Sequence, residues 1–461
     1  MTKRKFRFRH LALAGAIAVT PMSVMAEGTM GSTLEDFFTA ALDYSPRLKI
    51  SEQRKAIGEA RYDAAKGQLL PQISAQATLT DNKRDNGTTS TDFDGERYSV
   101  QLRQVLFNWE AFSARRQAIS EQDRSEAEYY YELSTVLTEV AEKYFNVLQA
   151  QGEVSSNKAE LDAVKKQLSQ IEGQYEKQLA QITDLLQAQA SVAAVESDQI
   201  RLQSDLDLAK EALRSASGLG VGNLNDLADN ARSPSSAAGL QEWVAMAYDN
   251  NYQIKAKQHA IEAAREGIER RKGTYFPTAS LIVERQDSDV GFDNAPIRKS
   301  ETTYFGVDIN VPIWQGGTRK AGVREARSLH AIAESELEQI KLDTSEIVRS
   351  AYLQYKASES AIKAAQSLYD STTKTADAMA KGFELGTVTN VDVLNAIRDQ
   401  FQAERRLQEA KYDSIKFYLI LKREAGDLSA EDMVEISSLF TANLPVSVSD
   451  NGSVFASTLG Y

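Results

Sequence analysis

Two spacings of apolar residues take turns along the chain, and their order of appearance is itself repeated. Ala41 to Leu69 carries apolar positions at helical intervals and ends before Pro71, since proline disfavours helix in the residue before it. The spacing then changes to two: Ile73, Ala75, Ala77 and Leu79 alternate with Gln72, Ser74, Gln76, Thr78 and Thr80. A polar stretch, Asp81 to Glu96, separates this run from a second one with Tyr98, Val100 and Leu102 set against Ser99, Gln101 and Arg103. Strict alternation predicts strands with one apolar and one polar face, here over 72–83 and 97–107. From Ala111 to about Leu179 there is no proline, and a helix of that length reaches about 100 Å. Within it Leu161, Val164, Leu168, Ile171 and Tyr175 step at 3, 4, 3 and 4, which predicts a coiled-coil seam. A turn and a second long helix, Asp184 to Ala216, follow.

The same order returns in the second half. A shift of 206 places Leu34 on Leu240, Phe37 on Trp243, Lys66 on Lys272 and Pro71 on Pro277. A shift of 207 pairs Phe145 with Tyr352, and one of 208 pairs Tyr175 with Phe383 and Asp184 with Asp392. A period above 200 is too long for a solenoid and marks a duplicated half. The second copy predicts a helix over Ala247 to Tyr275, strands over 278–286 and 302–314, a long helix with a seam through Tyr369, Thr372, Ala376, Met379 and Phe383, and a last helix from Asp392 to Ala425. The chain thus divides into residues 1–26, a first repeat 27–216, a joining segment 217–239, a second repeat 240–426 and a tail 427–461.

Residues 1–26 read as a secretory signal: Lys3, Arg4, Lys5, Arg7 and Arg9 precede the apolar run Leu11 to Val24, and Val24-Met25-Ala26 fits a cleavage site. The full chain has 53 basic and 65 acidic residues, so removing those five cations leaves 48 against 65, a net −17. Such a chain lacks the basic footprint that nucleic acid requires. There is no cysteine, hence neither a disulfide nor an acylation site. After the signal no run of about 18 apolar residues occurs, so any membrane crossing has to be made by strands. In a bilayer every strand edge has to be closed, and small membrane barrels need about eight strands. Four strands per chain therefore call for a barrel shared between copies, eight strands from two chains or twelve from three.

Several local sequences resemble the TolC family of outer-membrane efflux proteins over nearly the whole mature chain. They are Leu69-Leu70-Pro71-Gln72-Ile73, Phe276-Pro277-Thr278, Pro312-Ile313-Trp314-Gln315-Gly316-Gly317, Tyr144-Phe145-Asn146-Val147-Leu148 and Ile182-Thr183-Asp184. The resemblance implies an α+β membrane protein: a homotrimer whose long antiparallel helices form a periplasmic α-barrel and whose strands form a twelve-stranded barrel in outer-membrane lipid. It implies an equatorial collar from Ser217 to Gly239 and the segment after Ala425, and loops Asp81 to Glu96 and Asp287 to Ser300 facing outside. The implied function is a passive export duct. It would work with a periplasmic adaptor and with an inner-membrane ABC transporter or drug–proton antiporter.

The resemblance also places the two turns between long helices at a narrow periplasmic entrance. Gln178, Leu179 and Ala180 in one turn, and Leu385, Gly386 and Thr387 in the other, then become adaptor contacts. Asp392 would form an acidic ring, which concentrates cations. Thr389 and Asp392 also have capping-box spacing, so Asp392 is equally a helix cap, and Asp184 likewise. In the family a tyrosine and an arginine restrain the acid matching Asp184; here Phe383 and Val388 stand at those positions and cannot supply that bond. A second entrance acid is here Asn395, a tip glycine is Gln178, and Thr183 precedes the restrained acid. Candidate catalytic chemistry is sparse: His10, His259 and His330 lie in no metal-ligand spacing, and neither a nucleophile motif nor a phosphate loop is found, so no cofactor is expected. The competing reading is a soluble periplasmic or surface coiled-coil protein with its strands in a small sheet.

Overall fold

Helix boundaries in this chain are set by capping residues that recur in both halves. In the computed structural model, which describes residues 33–85, 87, 90–222, 224, 238–291, 295–428, 432 and 436, helix α1 (Leu34–Tyr44) starts at a Thr33/Asp36 capping box. Ser45 both ends α1 and caps α2 (Pro46–Gly67), where Pro46 occupies the first helical position. The repeat counterparts are α5 (Leu240–Asn250) and α6 (Tyr252–Gly273), divided at Asn251, whose Oδ1 accepts from the Gln253 and Ile254 amides. The single helices expected over 41–69 and 247–275 are therefore helix pairs broken at Ser45 and Asn251. The signal segment 1–26, more than half of the joining segment and nearly all of the tail lie outside the described residues.

The long helices are α3 (Trp109–Glu176, 68 residues) and α7 (Thr318–Glu384, 67 residues), each followed by a 36-residue helix, α4 (Ile182–Ser217) and α8 (Asn390–Ala425). At 1.5 Å per residue α3 and α7 run about 100 Å. Near the sheet α3 packs between α2 and α6, and α6 packs on α7; at the other end α4, α3, α8 and α7 lie side by side. Such a wall has α7 at one edge and α2 with α4 at the other. Packing centres on three apolar clusters. The largest joins Phe37 and Phe38 to Tyr144, Phe145, Leu213 and Leu419; a second surrounds Trp243 and Leu421; a third, toward the helix turns, holds Leu161, Val164, Val192 and Leu394. The seam expected through α3 buries Leu161, Val164 and Ile171 but leaves Tyr175 40% exposed. In α7 Ala376 is buried and Tyr369, Thr372, Met379 and Phe383 of the expected seam are half-buried, on a helix whose main partner is α8.

The strands form one antiparallel sheet in the order β1 (Gln72–Asp85), β2 (Ser90–Phe107), β3 (Thr278–Val290), β4 (Pro296–Asn310). All four strands are longer than their alternation foretells, and β4 starts at Pro296, inside the stretch expected as the loop Asp287 to Ser300. The stretches expected as loops pair instead, Asp81 with Asp94 and Lys83 with Asp92, while β4 stops before Val311 and Ile313. Residues directly opposed in the ladder share a face. One row reads Ile73, Leu102, Val283, Phe305; a row of the opposite face reads Gln76, Ser99, Gln286, Thr302. The apolar side crosses the sheet as a diagonal band. On β1 and β2 it extends to Leu79 and Tyr98, whereas Arg285 and Asp287 hold the matching rows of β3, and on β4 it runs down to Ile309. Strands tilted roughly 35–45° to a membrane normal produce this slope. Ile73, Phe305 and Ile309 are each at least 66% exposed in the protomer, as lipid-facing residues should be.

Candidate gate at the helix turns

The turn after α3 and the turn after α7 have one backbone geometry. Behind α3 the Gln178 amide donates to the Tyr175 carbonyl (2.9 Å) and the Leu179 amide to Gln174 (2.8 Å). Behind α7 the Gly386 amide donates to Phe383 (3.0 Å) and Thr387 to Gly382 (2.9 Å). This motif requires a left-handed residue after the helix, normally glycine. Gly386 meets that requirement with φ 74°, and Gln178 sits at the repeat-equivalent position with φ 60°. Leu179 and Leu385 project at the turns, 75% and 79% exposed. Ala180 is half-buried, and Val388 rests against Gly382, where a Cβ would collide with it.

Helix starts follow at once. Thr389 caps α8: its Oγ1 accepts from the Asp392 amide (3.3 Å), while the Asp392 carboxylate accepts from the Thr389 amide (3.1 Å) and hydroxyl (2.6 Å). These bonds, the hydroxyl first and then the amide, hold the Asp392 carboxyl below its ordinary range. In α4 the Gln181 amide donates to the Asp184 carboxylate at 3.4 Å, a looser version of the same cap, and Thr183 Oγ1 donates to Gln181 Oε1 at 3.4 Å. Asn395 is exposed one turn into α8, and Phe383 is half-buried at the end of α7.

Two residues with no role in the sequence reading join the turns. Asn390, 3% exposed, donates from Nδ2 to the Asp184 carbonyl (3.2 Å) and accepts at Oδ1 from Gln167 Nε2 (2.9 Å). One amide side chain thus ties α8 to both α3 and α4. Further along, Arg405 donates to the nearly buried Glu160 (2.9 Å) and Ser156 to Glu404 (2.9 Å), so that α8 is pinned to α3 by polar contacts along its length. The repeat counterparts of Gln167 and Asn390 are Thr375 and Ile182, neither of which can reproduce the link. That asymmetry between halves was the available signal. Among the described residues no cluster of His, Asp or Glu could hold a metal ion, and no helix is long and apolar enough to cross a membrane.

A helical wall some 100 Å long, carrying a sheet with a lipid-suited face and two open edges, defines a channel protein whose barrel is shared among protomers. The chain belongs to the outer membrane efflux protein family, whose model matches residues 38–219 and 243–422. It is 25% identical to the alkaline protease secretion protein AprF of Pseudomonas aeruginosa, covering 91% of this chain and 89% of that one. It is 27% identical to the outer membrane protein TolC of Vibrio cholerae, over 93% and 97% of the respective chains. The fold matches the outer membrane protein VceC of Vibrio cholerae with a TM-score of 0.74 at 18% identity, over 85% and 96% of the two chains. This protein is accordingly an outer-membrane exit duct of the kind that serves type I secretion or efflux.

Proposed function

We propose that the two helix turns form the closed periplasmic entrance of the duct, with Gln167 and Asn390 as its latch and Asp392 as its charge filter. The buried Gln167–Asn390–Asp184 link carries this reading. Widening the entrance by swinging α7 and α8 away from α3 and α4 breaks both bonds of Asn390. Separation in water replaces them with solvent bonds, so the latch is worth about 1 kcal/mol per bond and yields to a docking partner. Because its members are neutral amides, it holds across pH and salt. The capped Asp392 stays ionised at neutral pH, and three copies around an axis favour cations at the constriction. Passage itself is passive, with energy supplied by the inner-membrane partner.

The exposed Leu179 and Leu385 give each turn an apolar contact for a periplasmic adaptor, flanked by Gln178, Ala180, Gly386 and Thr387. Its inner-membrane partner is an ABC exporter or a drug–proton antiporter, and the secretion role in the name of the AprF relative supports the exporter. Single-channel recording on purified trimers in a planar bilayer tests the entrance. Asn390→Ala should raise the mean conductance, and Asp392→Asn should abolish cation selectivity. Unchanged conductance in the first variant sinks the latch; unchanged selectivity in the second leaves Asp392 as a helix cap alone.

A further inference from the structure

At the end of the sheet remote from the helices, β3 leaves its place in the ladder. Its last direct pair with β2 is Ser288 opposite Arg97, and the β3–β4 register shifts between Ser288 and Val290. The Glu96 amide is taken by the Asp289 side chain (2.6 Å). Ser288 Oγ donates to the Val290 carbonyl (2.9 Å) and accepts from the Val290 amide (3.2 Å), which bends the chain sharply. Arg97 then donates from one terminal nitrogen to the carbonyls of Val290 (3.3 Å) and Gly291 (3.4 Å). The Val290 side chain lands on Gly95, where a Cβ would collide with Val290 Cγ2 and Thr80 Oγ1. Val290 is 6% exposed and Ser288 2%, so this is a packed segment.

Gly95, Thr80 and Arg97 lie on the polar face, in the alternation that includes Gln76 and Ser99. In the shared barrel that face lines the lumen. Twelve strands about 4.8 Å apart, tilted by about 40°, enclose a cylinder of radius about 12 Å. Because the Val290 side chain meets the Gly95 backbone directly, the Val290 backbone stands about 6 Å in from the wall, the reach of one valine side chain plus a van der Waals contact. Three symmetric copies of such a segment narrow the lumen from a radius of about 12 Å to about 6 Å.

We propose that Val290 and Gly291 form a second constriction, at the outer mouth of the duct, that limits the size of what leaves. Arg97 is its positioning residue, and Gly95 provides the space it occupies. It rests on the exit-duct reading, through the assignment of the polar face to the lumen, and is independent of how the periplasmic entrance is latched.

The chain has no cysteine, so Ser99→Cys places one thiol on the lumen face, inward of the constriction. In intact cells a small methanethiosulfonate and a bulky polyethylene-glycol maleimide are added from outside, to the full chain assembled as trimers. With the mouth unaltered the small reagent reacts and the bulky one lags. Adding Arg97→Ala, which removes three charged hydrogen bonds (to Ser288 Oγ and to the Val290 and Gly291 carbonyls) without adding bulk, should speed the bulky reagent by about tenfold. Gly95→Val, which pushes Val290 further into the lumen, should slow the bulky reagent instead. Equal bulky-reagent rates with and without these substitutions overturn the proposal. If the small reagent fails to react in every background, the polar face is not the lumen, and the proposal falls together with the duct reading beneath it.

Discussion

Gln178 and Gly386 allow one backbone conformation to be tested twice in the same molecule. Both residues adopt left-handed torsions, φ 60° and 74°, behind helices that end in the same way. A side chain in that region costs about 1–2 kcal/mol, whereas glycine adopts it freely but brings about 0.5–1 kcal/mol of extra chain entropy to the unfolded state. Gln178→Gly should therefore stabilise the first turn by about 0.5–1 kcal/mol, and Gly386→Ala should weaken the second by a similar amount. Nothing lies within 4 Å of a Cβ built on Gly386, so the backbone alone sets the cost there. Global unfolding of a membrane trimer would mask an effect of this size. Amide hydrogen exchange of the turn peptides would not, because local opening determines it. The Leu179 amide should exchange about two- to fivefold more slowly in Gln178→Gly, and the Thr387 amide about as much faster in Gly386→Ala. Equal exchange in all three proteins would show that contacts beyond the protomer, and not the left-handed residue, fix these turns.

Other outcomes follow from the caps and cores. Asn251→Ala removes two amide bonds at the start of α6 together with a 2.8 Å bond to the Glu424 carbonyl, and should cost about 2–3 kcal/mol. Its counterpart Ser45→Ala loses one 3.4 Å bond and keeps Pro46, so it should cost about 0.5 kcal/mol; chemical denaturation of detergent-held trimers separates the two. Phe145→Ala empties the centre of the largest cluster and should cost about 3–5 kcal/mol, read in the same titration. The Asp392 carboxyl is held below its unfolded value of about 3.9, so its cap is complete above that pH and is lost as pH falls through the lower folded value. Cation selectivity should likewise survive down to about pH 4 and fade below it, in reversal-potential measurements.

Element types were legible wherever a period ran unbroken, as along α3 or through Phe305, Val307 and Ile309. Strand ends were not. Asp81, Lys83, Asp92 and Asp94 carry no apolar alternation because both faces of the hairpin there suit water, yet their backbones continue the ladder. The break at Ser45-Pro46 was written in the sequence as a cap followed by a first-position proline, while Asn251 offered a weaker form of the same signal. At the turns, Thr389 with Asp392 announced the cap by spacing alone. Gln167 and Asn390 could not be read locally, since their link depends on α8 lying beside α3, 223 residues away in sequence. Val290 on Gly95 is a similar case, formed by a bend in one repeat meeting a glycine in the other.

The open edges of the sheet carry a consequence for biogenesis. β1, with 14 residues, and β4, with 15, each leave one flank of backbone donors and acceptors without a ladder partner in the protomer. A single chain entering hydrocarbon would strand these groups at several kcal/mol each. Monomers are consequently held on the aqueous side until three have met, and insertion inherits the steep concentration dependence of that encounter. An outer membrane short of newly made chains would receive fewer channels, not incomplete ones.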